Sequence, residues 1–265
     1  MTRAIGISMI VVACLALSVG CGGDGSDSMP PTGTQPSFLS QVDSASETDT
    51  LPPGAPQSTA TLSLNVSGTN TLLLAAWHAE LDYGFPDSWT VTSNGVPGTL
   101  IVDTDGYTGG AGNRRFRIYY WLNPPPGLTT VVVKNDPANN PSGNELAVSA
   151  VLLDNVSQAN PLGAIVRDVS TSARTEESET APTTTNDLVV HVIADALFVR
   201  GTLGDGETSR SVANDGRHFG GDPNLDGDAS LWIATKPGER GSTTVSSSGW
   251  ASRVINGAAI VVHGP

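Results

Sequence analysis

The feature that most limits the fold of this chain is a two-residue rhythm of apolar side chains. Ala60, Leu62, Leu64 and Val66 alternate with Thr59, Thr61, Ser63 and Asn65. Successive side chains of a strand point to opposite faces, so such a segment buries one face and wets the other. Thr71-Leu72-Leu73-Leu74-Ala75-Ala76-Trp77 is apolar on both faces, as an inner strand is. Residues 115–122 alternate again and end at Asn123-Pro124-Pro125-Pro126, since proline cannot donate into a ladder. Further strands are expected over 129–133, 145–153, 187–198, 230–235 and 253–262, with Asn94-Gly95 as a hairpin turn. No segment carries a 3.6-residue stripe longer than two turns. A single all-β, antiparallel sandwich is therefore expected over residues 37–265, with no internal repeat apparent.

The residues before it read as an export and anchoring signal. Arg3 is the only charged residue before Asp24, and an apolar run follows it to Val19. That is a signal peptide, shorter than the ~20 apolar residues of a membrane span. Leu17-Ser18-Val19-Gly20-Cys21, followed by Gly22-Gly23-Asp24-Gly25-Ser26, resembles the lipobox of bacterial lipoproteins, with Ser18 where Leu, Val or Ile is usual. The resemblance implies removal of residues 1–20 and diacylation of Cys21, making the lipid bilayer a partner; ordinary cleavage near Ser18 is the alternative. Two acyl chains hold a protein on a membrane stably. Residues 21–36, rich in Gly, Ser, Asp, Pro and Thr, form a tether of roughly 20 Å. Gly22 after the cysteine points to the outer membrane or cell surface rather than the inner membrane. Cys14 and Cys21 are the only cysteines, so the sandwich is expected to stand without a disulfide.

The formal net charge is -13. That balance excludes nucleic acid, whose phosphates demand basic patches, and favours capture of cations. One candidate is Asp222-Pro223-Asn224-Leu225-Asp226-Gly227-Asp228-Ala229-Ser230, with oxygen side chains at positions one, three and five and glycine at six. Calcium takes six to eight oxygens, and this is the first half of an EF-hand-type loop. Asp222, Asn224 and Asp226 would give side chains, Asp228 a carbonyl and Ser230 an oxygen or bridging water. Ile233 stands where a bidentate acid is expected, and a plain polar turn is the competing reading. Asp103-Thr104-Asp105-Gly106-Tyr107 reads as a second, shorter acidic turn.

Trp77, Trp121, Trp232 and Trp250 lie in or beside strands and are expected in the core. Trp89 and Tyr107 lie among Asp and Gly, where an exposed ring with polar neighbours would grip a sugar. Arg114, Arg115 and Arg117 are expected on a solvated face. His78 and His191 sit in apolar strands as packed or edge residues, and His218 is a surface residue or ligand. No nucleophile elbow, His-Glu-x-x-His, zinc cysteine pair or phosphate loop is present. The run Tyr119-Tyr120-Trp121-Leu122-Asn123-Pro124-Pro125-Pro126-Gly127-Leu128-Thr129-Thr130-Val131 resembles a recurring module of bacterial extracellular proteins. The resemblance implies a jelly-roll, concanavalin-like sandwich and brings no catalytic residues. The expectation is a membrane-anchored, non-catalytic binding or adhesion module, calcium-stabilised and directed at polysaccharide. The alternatives are a lyase or glycosidase on a jelly-roll scaffold, or a lipoprotein that recognises another envelope protein.

Overall fold

A computed structural model describes residues 35–48, 59–81, 89–108, 113–134, 144–170, 172, 174–195, 201–214, 230–253 and 255–265. Among these residues every regular element is a strand. The first half of the chain forms β1 (Ser37–Thr48), β2 (Thr59–Val66), β3 (Leu72–Leu81), β4 (Thr90–Ser93), β5 (Val96–Pro97), β6 (Thr99–Thr108), β7 (Asn113–Leu122), β8 (Gly127–Lys134) and β9 (Asn144–Asp154). The second half forms β10 (Leu162–Val169), β11 (Arg174–Thr183), β12 (Asp187–Asp195), β13 (Thr202–Leu203), β14 (Thr208–Asn214), β15 (Ser230–Pro237), β16 (Gly241–Arg253) and β17 (Ile255–His263). All-β, antiparallel sandwich architecture is what the alternation of apolar residues dictates, and it is what the chain adopts.

The sandwich is, however, built twice. The first half makes a five-stranded sheet ordered β1-β9-β3-β7-β6 and a four-stranded sheet ordered β2-β8-β4-β5. The second half makes β10-β17-β12-β15-β14 and β11-β16-β13. Replacing β1, β2, β3 and β4 by β10, β11, β12 and β13, and β6 to β9 by β14 to β17, turns one pair of sheets into the other. Only the two-residue β5 lacks a counterpart.

Local geometry repeats with the topology. Gly127 and Gly241 open β8 and β16 with φ of 106° and 100°, and each is followed by x-Thr-Thr-Val. Gly127 faces Val66 and Gly241 faces Thr183. The Asn123 N–H donates to Thr71 O at 2.8 Å, as the Gly238 N–H donates to Asp187 O at 2.7 Å. The register slips between Leu100 and Val102 in β6 and between Ser209 and Ser211 in β14. A slip of this kind re-aims the strand, and such features are designed rather than accidental.

Alternation then assigns each side chain to a layer. Leu72, Leu74 and Ala76 of β3 meet Leu188, Val190 and Val192 of β12 in the largest apolar cluster, which glues the two five-stranded sheets together. Leu73, Ala75 and Trp77 face the other way and pack on Ala60, Leu62 and Leu64 of β2. On the far side of the second five-stranded sheet, the apolar layer is split in two. Ala181, Val189, Val245, Ala259 and Val261 form one part, and Ile193, Trp250 and Ile255 the other. This gives four stacked sheets, with the last two clusters set apart from each other.

Several expectations need correction here. The sheets fall into two pairs of matching strand order, so a repeat is present. Asp103 lies on β6, not in a loop, and Arg115 and Arg117 of β7 are buried rather than solvated. Both guanidiniums reach the same carboxylate, at 3.1 Å and 2.8 Å from Asp103 Oδ2. Burial opposes ionisation of Asp103, but the hydrogen bonds and charges of Arg117 and Arg115 outweigh it and hold the carboxyl below its ordinary range. Asp103→Asn is expected to destabilise the fold by about 1–3 kcal/mol, read by urea unfolding at neutral pH.

Candidate functional site

The gap between the two apolar clusters is filled by charge. His191 lies between Val189 and Ile193 on the face of β12 that looks at the three-stranded sheet. From that sheet Glu177 and Glu179, two apart on β11, point at it. Both glutamates and the imidazole are buried, with 3%, 2% and 0% exposure respectively. His191 Nε2 lies 2.9 Å from Glu177 Oε1 and 3.3 Å from Glu179 Oε2. His191 Nδ1 lies 2.7 Å from Oε2 of Glu207, the residue before β14.

Glu207 and Glu177 are each held from behind. The Ser246 N–H donates to Glu207 Oε1 at 2.7 Å. The Ser247 hydroxyl donates to Glu177 Oε1 at 2.7 Å and itself accepts the Trp250 indole N–H at 2.7 Å. Gly257 of β17 makes the room. A Cβ there would lie 2.1 Å from both Glu177 Oε2 and Glu179 Oε1. Nonetheless Glu177 Oε2, both oxygens of Glu179 and His191 Nε2 have no hydrogen bond of acceptable geometry. Nε2 is thus near enough to both carboxylates for ion pairing but out of line for a directed bond.

Burial sets the protonation states against one another. Burial penalises charge on His191, but the close carboxylates of Glu177, Glu179 and Glu207 outweigh that and raise its pKa well above the usual histidine value. Burial also pushes Glu179 up, and with the adjacent Glu177 it reaches about 8 despite the opposing pull of His191. Glu177 goes the other way. Burial raises it, but His191, Glu179 and Ser247 bring it below the ordinary glutamate range. The environment thus favours the protonated form of Glu179 and the charged forms of Glu177 and His191.

The duplication supplies a control for this arrangement inside the same molecule. Counting back from the paired glycines, Glu177 and Glu179 stand where the first sandwich has Ala60 and Leu62. Ser247 faces Glu177 as Val133 faces Ala60. Counting from the matched turn bonds, His191 stands for Ala75. Glu207 precedes β14 as Gly98 precedes β6. Gly257 faces Ile193 as Val148 faces Trp77. The scaffold closes with apolar residues at these places in one copy, so the fold does not demand the charges in the other.

The centre is not sealed from outside. Glu177 and Ser247 also line a pocket of about 600 Å³ together with Asp168, Arg174, Ser178 and Ser248. Arg174 pairs with Asp168 and donates to Ile255 O at 2.6 Å.

The residues singled out in the sequence fall elsewhere. Trp89 is not an exposed platform. It is 5% exposed and stacks on Trp77 with ring centroids 4.5 Å apart, because the first sandwich needs both rings to fill its core. Tyr107 lies on β6, paired in register with Arg114, and its side chain is outside the described residues. Ser230 opens β15, where its hydroxyl donates to Asp195 O at 3.1 Å. Asp222, Asn224, Asp226 and Asp228, like Cys21, lie outside the described residues. Glu177, Glu179 and Glu207 carried a signal only in combination. Residues 177, 179, 181 and 183 share one face, and an imidazole inside an otherwise apolar inner strand requires a partner.

No family model matches this sequence, and neither a curated protein nor a solved structure matches it.

Proposed function

We propose that this chain is a lipid-anchored module of the bacterial cell envelope that binds polysaccharide, without catalysis, in the second sandwich. The observation that carries the reading is the pocket of about 600 Å³ beside the β11–β16 ladder. Its wall offers the hydroxyls of Ser178, Ser246 and Ser248, the guanidinium of Arg174 and the carboxylates of Asp168 and Glu176. Sugar rings present alternating donors and acceptors, and a site that meets each with a fixed polar partner gains specificity from leaving none unpaired. The strand orders β1-β9-β3-β7 and β2-β8-β4-β5 support the jelly-roll reading of each sandwich. Calcium at Asp222, Asn224, Asp226, Asp228 and Ser230 remains part of this proposal, as a stabiliser of the segment leading into β15. The acylated Cys21 and the tether place the module at the membrane surface.

The test is retention of the protein on a panel of soluble and insoluble polysaccharides, in calcium and then in chelator. Retention on one glycan, lowered at least tenfold in Arg174→Met, is the expected result. No retention on any glycan in either buffer rejects polysaccharide as the ligand and redirects attention to envelope proteins. Calcium dependence that disappears in Asp226→Asn supports the loop as its site.

One observation favours a second reading. Glu177 and Glu179 set two carboxyls side by side against His191, and Glu177 lines the pocket, so the pair could divide the roles of general acid and general base. Chain cleavage in the same incubations, lost in Glu177→Gln, would make the protein a lyase or glycosidase.

A further inference from the structure

We propose that Glu177, Glu179 and His191 form a binding site for one divalent first-row transition-metal ion. This does not rest on the polysaccharide reading, since the ligand atoms lie behind the pocket wall and make a site of their own.

The geometry carries the inference. One nitrogen and two carboxylates place ligand atoms within 4.8 Å of one another. The Nε2 distances of 2.9 Å and 3.3 Å to the two glutamates are close to the roughly 3.3 Å separating two ligands on a tetrahedral ion with bonds near 2.0 Å. Four buried polar atoms of these three residues lack directed hydrogen bonds: Nε2, Glu177 Oε2 and the two oxygens of Glu179, and Nε2 and Glu179 Oε2 are among the close-lying ligand atoms. Buried polar atoms without partners are costly, and a cation among them removes that cost.

The outer contacts fit the same reading. A metal-bound imidazole almost always gives its other nitrogen to a carboxylate, which fixes the ring and raises its basicity. Glu207 occupies that position on Nδ1 and is itself held by the Ser246 N–H. Ser247 orients Glu177 in the same manner. A ligand set of one imidazole and two carboxylates selects zinc, manganese, iron, cobalt or nickel, and disfavours calcium, which asks for six or more oxygens. Glu177 also faces the pocket, so water or a ligand group there can supply a fourth position.

The first sandwich does without charge at these three places. Its counterparts of the three ligands are Ala60, Leu62 and Ala75, all buried and apolar.

The experiment uses the full chain, freed of metal by dialysis against chelator and titrated with zinc chloride in a calorimeter. One zinc per chain at micromolar affinity or tighter is expected. Cobalt(II) in place of zinc should give the intense visible absorption of a four-coordinate ion. Glu177→Gln and Glu179→Gln keep the shape of the site and should each weaken zinc by at least tenfold. Glu207→Gln, which acts through the imidazole, should weaken it 10–100-fold. Far-UV circular dichroism establishes that each variant remains folded. Absence of saturable zinc binding by the folded wild type overturns the proposal. So does a loss below tenfold in both Gln variants, or binding abolished by Asp226→Asn alone, which would put the zinc in the other acidic loop.

Discussion

Exchanging five residues of the buried polar centre for their first-sandwich counterparts is expected to stabilise the metal-free protein. The exchange is Glu177→Ala, Glu179→Leu, His191→Ala, Glu207→Gly and Gly257→Val. Ser247 is left in place to accept the Trp250 indole. Three carboxyls and an imidazole withdrawn from water each lose several kcal/mol of solvation, and their mutual attraction repays this only where every lone pair and proton is matched. Here four of the relevant atoms have no directed bond. Replacement of buried ion clusters by packed apolar groups is commonly worth 1–4 kcal/mol, and about that gain is expected in urea unfolding. His191→Ala alone should act in the opposite direction, by about 3–5 kcal/mol, since it strands three buried carboxyls without their cation. The opposite signs matter more than the sizes. A five-site variant less stable than the parent would mean that the charges hold the second sandwich together, and the inference from the first would fail.

The same comparison explains what the sequence disclosed and what it hid. Alternation in 59–66 and the doubly apolar runs in 72–77 and 188–194 are strong because each of these strands buries a full face. They make the all-β sandwich legible. The repeat was written in Gly127-x-Thr129-Thr130-Val131 and Gly241-x-Thr243-Thr244-Val245, and in Asn70-x-Leu72 and Asn186-x-Leu188. It is hard to see because the second copy carries charged residues where the first has apolar core residues, and the core is where likeness is normally read. For that reason β11 does not look like a strand. Arg174-Thr175-Glu176-Glu177-Ser178-Glu179 is polar on both faces, and only the fold shows that one of those faces is interior. The expectation for Trp89 failed for a related reason. Its polar neighbours in sequence suggested a loop, but Trp77 across the layer supplies the surface its ring covers.

The acid–base state of the centre leads to the second large effect, a decline in stability of the metal-free protein as pH rises from about 4.5 to 8. Glu179 has an unfolded value near 4.5 and a folded value of about 8. Between these the folded chain holds a proton that the unfolded chain has released, so stability is greatest below 4.5 and falls as pH rises. A shift of that size corresponds to a loss on the order of 4 kcal/mol by pH 8. His191, also raised, adds to the decline above pH 6.5, where the unfolded imidazole has lost its proton and the folded one has not. Glu177 has the reverse sign. Its folded pKa is lowered, so its contribution is present above 4.5 and is lost on acidification. Among the described residues, the charged groups that act on Glu179 are these two and, beyond the ring, Glu207. Wild-type stability in chelator should therefore peak near pH 4.5–5. Glu179→Gln is neutral at every pH and keeps the site's shape, so its stability should be level from pH 4.5 to 6.5 and decline only above. The measurement is urea unfolding across this range, read as wild type minus variant. A difference that stays constant with pH would show that Glu179 is ionised in the folded protein, with the proton placed elsewhere in the centre.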